Sequence, residues 1–251
     1  MSSLLPPNAA MLTGRSPHHV TEVAALGCRL HCDVVGAFLA LRDAAAAVGI
    51  DLRAASSFRD FDRQLAIWNG KFRGERPVLD RQGVPLEVKH LSAEARVEAI
   101  LVWSALPGAS RHHWGTDFDV YDATTMPDAA QLKLVPQEYS SSGPFAHLTT
   151  WLDDNLARYG FFRPYAVRSD PSNMRGVSPE PWHLSFAPLA HRFLSALTPA
   201  LLAETLASAP IEGREVVLAN IEHIHRRYVA DVTPPSPESL AFELREHGRV
   251  V

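Results

Sequence analysis

At 251 residues, with 46% hydrophobic and 21% charged residues, the chain is long and apolar enough to bury a substantial core. A net charge of -4 supplies no basic excess for holding phosphate backbones, which argues against a nucleic-acid partner. No run of about 18 apolar residues predicts a membrane span.

The start, MSSLLPPNAAMLTGRSPHHV, has no basic segment followed by an apolar run, so the expectation is a cytoplasmic protein, release as a lysin being the alternative. Cys28 and Cys32 are the two cysteines of the chain. Their i, i+4 spacing predicts one helix face and a packing role, since a single pair supplies no disulfide framework.

LHCDVVGAFLALRDAAAAVGI carries apolar residues at helical spacing with Gly49 at its end, which predicts a helix over 31–48. DLRAASSFR follows as a short strand, and Asp60 is placed to cap a helix over DFDRQLAIWNGKF. Arg59 then lies at a strand-to-helix junction. The Gly-, Pro- and charge-rich segment from Arg73 to His90 reads as a surface loop. Ser92 caps the next helix, without the glutamate or glutamine that completes a capping box, and Pro107-Gly108 ends it. GTDFDVYD alternates as a strand does. PFAHLTTWLDDNLARYG reads as a helix closed by Gly160, PWHLSFAP as another strand, and helical patterns dominate from Leu189 onward.

The chemistry concentrates in SRHHWGTDFD and, some seventy positions later, EPWH. A catalytic zinc ion takes three protein ligands and keeps a fourth position open. His112 and Asp119 are close enough for a turn at Gly115 to bring both to one ion, and His183 supplies a third ligand. Glu180, three residues before His183, is placed to face the attacking water as a general base. Asp117 shares a strand face with Asp119. It is therefore either a partner of a ligand histidine or, with His113 in place of His112, a ligand itself.

Ser110, His112, Gly115 and Asp119, with Glu180, Trp182 and His183 downstream and SSFRDFDRQ upstream, resemble the motifs of the VanY-type zinc D-alanyl-D-alanine carboxypeptidases. That LAS-type group of peptidoglycan peptidases also holds D,D-dipeptidases, L,D-carboxypeptidases and some phage endolysins. The resemblance implies a zinc ion on His112, Asp119 and His183, Glu180 as base, and Arg59 over the scissile carbonyl. It further implies that Ser110 and Gln64 bind the C-terminal part of the substrate. Asp117 departs from the family pattern, which commonly has a small residue there.

The implied fold is α+β: a small antiparallel sheet with packed helices. The peptidase domain is expected over 1–190, with 191–251 a mainly helical extension packed on it. The expected activity is hydrolysis of the bond before a C-terminal D-alanine in peptidoglycan stem peptides or muropeptides, leaning to L,D-cleavage of tetrapeptides in wall recycling. The alternatives are a D,D-carboxypeptidase or dipeptidase, a phage-type endopeptidase, and a non-catalytic module that binds wall peptides. Arg168 and Arg175, in the loop before Glu180, are expected to be solvent-exposed.

Overall fold

The computed structural model describes residues 7–167 and 176–242; Arg168 and Arg175 lie outside the described residues. Ten helices and six strands are named here in chain order. The first are α1 (Ala9–Leu12), β1 (Val20–Val23), β2 (Cys28–His31), α2 (Val35–Ala46), β3 (Leu52–Ser56), α3 (Phe61–Phe72) and α4 (Ala93–Leu101). Then come β4 (Asp117–Asp122), α5 (Ala146–Asn155), β5 (Phe161–Phe162), β6 (His183–Phe186), α6 (Ala187–Ala196) and α7 (Pro199–Ala207). Last are α8 (Arg214–Ala219), α9 (Ile221–Ile224) and α10 (Pro237–Leu240), with a π-helical turn at His225–Val229.

Strand β4 is buried along its full length because it is flanked on both sides. The sheet order is β3-β4-β6-β5, with every pairing antiparallel. One face of the two central strands is apolar: Phe118, Val120, Leu184 and Phe186 pack with Phe38 and Leu41 of α2 and Leu152 of α5. Phe118 meets Phe38 at 4.7 Å and Phe161 at 5.5 Å between ring centroids. Each such buried side chain contributes on the order of 1.5–3 kcal/mol. This packing fixes which way the strands face, and so sends Asp117, Asp119, His183 and Ser185 to the opposite side.

A second apolar cluster joins α3 and α4 to the helices after the sheet, through Trp68, Ile100, Phe193, Leu202, Val217 and Ile224. Trp68 donates from Nε1 to the Glu212 carbonyl at 3.0 Å, tying α3 to the segment before α8. The helices from α6 onward therefore brace α3, the helix that follows Arg59.

The α+β expectation is met, and β3, β4, β6 and α3 with its Asp60 cap fall where the sequence placed them, while the helix expected to close at Gly160 is α5 to Asn155 followed by a 3-10 turn, Leu156–Tyr159, that Gly160 caps. The stretch around the cysteines differs. Cys28 sits buried in β2 of a β1-β2 hairpin and Cys32 is exposed in a 3-10 turn, so they do not share a helix face, and both are free. The helix predicted from 31 starts at Val35, because the His31 imidazole accepts the Asp33 N–H at 3.2 Å and turns the chain there. Four-residue strands without apolar alternation left the hairpin unsignalled.

Candidate active site

Sheet register brings the first two groups together. Asp119 lies directly opposite His183 across β4 and β6, and Asp117 opposite Ser185. His112 arrives from a 3-10 turn, Arg111–Trp114, that ends at Gly115 with φ 66°. A Cβ on Gly115 would lie 2.7 Å from the His31 backbone nitrogen, so the close docking of β2 on this turn requires glycine.

His112 Nε2 is 3.5 Å from Asp119 Oδ2, and His183 Nδ1 is 3.2 Å from Asp119 Oδ1. The three residues each offer a ligand atom, all within 4.8 Å of one another. Asp119 Oδ1 and His183 Nδ1 are buried without a hydrogen-bond partner. Buried polar atoms left in this state are costly, and a cation among them removes the cost. Two imidazoles and one carboxylate thus fit a metal ion that keeps a further coordination position open.

The other nitrogen of each histidine is held from behind. His112 Nδ1 donates to the Ser57 carbonyl at 3.0 Å, which leaves Nε2 with its lone pair toward Asp119. His183 Nε2 contacts Asp117 Oδ1 at 3.2 Å, which turns Nδ1 to the site. Such outer partners set tautomer and ring orientation. Burial pushes the His112 imidazole down to about 3, so it is neutral, as a ligand must be. Burial also disfavours charge on His183, but Asp117, Asp119 and Glu180 around it outweigh that and raise its pKa. The cluster therefore calls for positive charge at its centre.

Asp117 is fully buried. Burial works against its charge, yet the Arg111 guanidinium, His183 and Thr116 hold the carboxyl down at about 2. Arg111 Nε meets Asp117 Oδ1 at 2.7 Å, its Nη2 donates to Ser185 Oγ at 2.7 Å, and it lies 4.7 Å over the Trp114 ring. Of the two positions open to Asp117, it takes the one behind His183. His113 is engaged at both nitrogens, Nδ1 with the Arg59 carbonyl at 2.6 Å and Nε2 with the Gly108 N–H at 3.1 Å, so the fold does not assemble the alternative His113 and Asp117 pairing.

Glu180 Oε2 lies 3.2 Å from His183 Nδ1. Its carboxylate is set by a turn in which the Glu180 N–H donates to the Tyr165 carbonyl and the His183 N–H to the Glu180 carbonyl. Burial raises its pKa above the ordinary carboxylate value. Arg59 is clamped through its backbone: its N–H donates to the His112 carbonyl at 3.2 Å, and its own carbonyl is the one His113 holds. Its guanidinium donates to Gln64 Oε1 at 2.8 Å and Ser56 Oγ at 3.2 Å.

A cleft of about 520 Å³ opens over these groups, lined by Arg59, Ser110, His112, Asp119, Glu180 and His183 among others. Gln64 does not line it. Its Nε2 donates to the Ala105 carbonyl at 2.7 Å and its Oε1 accepts from Arg59, so both ends of the amide are engaged within the protein. Sequence reasoning also passed over Arg111, Lys71 and Tyr165, which line the same cleft. Arg111 had one signal, its adjacency to the histidine pair. Trp182, between Glu180 and His183, is buried against Tyr139 at 5.5 Å. A second grouping, His31, Cys32 and Asp33, consists of consecutive residues, and its imidazole is already engaged with the Asp33 N–H.

The family model VanY, described as D-alanyl-D-alanine carboxypeptidase, matches residues 27–189. An uncharacterized protein of Haemophilus influenzae is 32% identical over 124 residues, 49% of this chain and 92% of its own length. A D-alanyl-D-alanine carboxypeptidase of Enterococcus faecalis is 30% identical over 147 residues, 58% of this chain and 44% of its own. Among solved structures, VanYB in complex with D-alanine-D-alanine superposes with a TM-score of 0.48 at 25% identity, covering 75% of this chain and 88% of that one.

Proposed function

Because the chain belongs to the VanY family of peptidoglycan peptidases of the D,D- or L,D-carboxypeptidase type, we propose that it is a zinc-dependent carboxypeptidase that removes the C-terminal D-alanine from stem tetrapeptides by L,D-cleavage, as wall recycling requires. The observation that carries this reading is the meeting of His112, Asp119 and His183 with Glu180 and Arg59 in one cleft.

His112 through Nε2, His183 through Nδ1 and Asp119 would hold the ion. When bound, zinc supplies Lewis-acid polarisation of a carbonyl and lowers the pKa of water. Glu180 takes the proton of the attacking water and returns it to the leaving amine of D-alanine, the carboxylate serving first as base and then as acid. Arg59 faces the cleft from the junction of β3 and α3, where its guanidinium stabilises the oxyanion that develops on the scissile carbonyl. Gln64 and Ser56 hold that guanidinium in place, and the buttress of Asp117 and Arg111 holds His183. Ser110 lines the same cleft, where its hydroxyl would meet the C-terminal part of the substrate.

Cleft size and charge support L,D- over D,D-cleavage. In a pentapeptide the residue before the cut is D-alanine, whose methyl group needs little room. In a tetrapeptide it is the long residue at the third position, and about 520 Å³ suits that better, with Arg81 and Lys133 on the lining favouring the side-chain carboxylate of diaminopimelate over the ammonium of lysine. The test is mass analysis of alanine released from muramyl tetrapeptide and pentapeptide by the zinc-loaded protein, with and without chelator. Chelator-sensitive release from the tetrapeptide is expected. Release from the pentapeptide alone would reverse the bond assignment, and release from neither would favour a wall-peptide-binding module.

A further inference from the structure

Lys71 closes the last turn of α3, and its Nζ donates to Ser104 Oγ at 2.7 Å on the wall of the catalytic cleft. An ammonium has three donors and Ser104 takes one. Among the described residues no carboxylate lies within ion-pair distance of it, whereas the neighbouring arginines are engaged and Lys133, the other lysine on the lining, is exposed to solvent. Arg59 is bonded to Gln64 and Ser56, Arg111 is paired with Asp117, and Arg81 donates to the Gly176 carbonyl. Burial lowers the Lys71 pKa, and Arg59 adds to the lowering, more than the distant Glu180 carboxylate raises it. The two carboxylates on the lining, Asp119 and Glu180, belong to the reaction. A half-buried cation with free donors and no protein anion is a seat for a ligand anion.

Its place identifies which anion. Gln64 receives the Arg59 guanidinium at one end of its amide and binds the Ala105 carbonyl at the other, and Ala105 adjoins Ser104, the partner of Lys71. A chain through the Gln64 amide, the Ala105–Ser104 peptide step and the Ser104 hydroxyl thus joins the ammonium to the arginine assigned to the scissile carbonyl. In a carboxypeptidase substrate the terminal carboxylate lies a single residue beyond that carbonyl, a step of about 3.8 Å between Cα atoms.

We propose that Lys71, with Ser104, binds the α-carboxylate of the substrate's terminal D-alanine and makes the enzyme cut at chain ends. This inference rests on the carboxypeptidase reading given above. A side-chain carboxylate at the third position of the stem peptide is the other source of the same chemistry, and the experiment separates the two.

The zinc-loaded wild type and Lys71→Met are compared on tetrapeptides ending in D-alanine or D-alaninamide, each with diaminopimelate or lysine at the third position. The wild type is expected to favour the free acid over the amide by about 10- to 100-fold in kcat/KM, the size of a charge-assisted hydrogen bond, and mainly through KM. Lys71→Met should lose that factor on the acid, keep its rate on the amide, and retain its zinc. A wild type that cuts acid and amide equally well overturns the role of Lys71, and needs no variant to do so. Equal losses by Lys71→Met on acid and amide also overturn it, as does a loss confined to diaminopimelate peptides. In each of these cases the peptidase reading stands. Turnover of none of these tetrapeptides by the wild type overturns the L,D reading on which the inference rests.

Discussion

Replacing Asp117 by alanine removes the carboxylate that Arg111 meets while leaving the guanidinium charged against Trp114. The two side chains are 2% and 0% exposed, so water cannot take over the lost contact. Removing one partner of a buried ion pair costs about 3–5 kcal/mol. That is a large part of the stability of an ordinary domain, about 5–15 kcal/mol, but not all of it, so the variant should still fold. Removing both charges, in Arg111→Met with Asp117→Ala, leaves no stranded ion. The double variant should therefore be less destabilised than the sum of the singles by about 1–3 kcal/mol.

The same carboxylate orients His183, so zinc affinity should fall about 10- to 100-fold in Asp117→Ala. Urea unfolding of the metal-free proteins gives the first set of numbers, and competition with a chromophoric chelator gives the second. Unfolding costs that simply add would refute the ion pair as an energetic unit. Unchanged zinc affinity would refute the orienting role even if the stability loss is seen.

Arg59→Met should lower kcat about 10²- to 10³-fold, the usual loss for one oxyanion donor, with zinc content unchanged by metal analysis. Gln64→Leu should produce a smaller loss in kcat with KM little altered, because Gln64 reaches the reaction through Arg59; a change confined to KM would instead place it on the substrate. Acid stability tests the buried His19. Burial holds its pKa at about 4 against 6.5, so the folded chain keeps it neutral while the unfolded chain protonates near 6.5. The unfolded state then binds more protons between those values. Stability is complete above pH 6.5 and falls as pH drops toward 4, by up to about 3 kcal/mol from this group. His19→Gln should flatten that decline in urea midpoints between pH 7 and 4.5, and an unchanged slope would contradict the assignment.

Much of the site was legible because its residues sit on elements whose signals are local. Asp60 marks the start of α3 and so places Arg59, alternation over DFDVYD marks β4, and Gly115 marks the turn between His112 and Asp119. The pairing of Asp119 with His183 is a register between strands far apart in the chain, which no local pattern encodes. The same is true of Arg111 with Ser185 and of Lys71 with Ser104, whose partners lie 74 and 33 positions away. Gln64 was placed on the substrate by motif alone; the structure shows its amide committed at both ends. The β1-β2 hairpin escaped notice because its strands are short and depend on docking to Gly115 through the His31 N–H at 2.8 Å.

The central claim is that His112, Asp119 and His183 hold one zinc ion while Glu180 moves the proton. It is tested most directly by measuring zinc content and alanine release side by side in the wild type and Glu180→Gln. The expected result is one equivalent of zinc in both proteins and a loss of hydrolysis of about 10²- to 10⁴-fold in the variant, the range for a general base. Retention of wild-type activity by Glu180→Gln, or a wild type that hydrolyses stem peptides equally well without metal, would contradict the account.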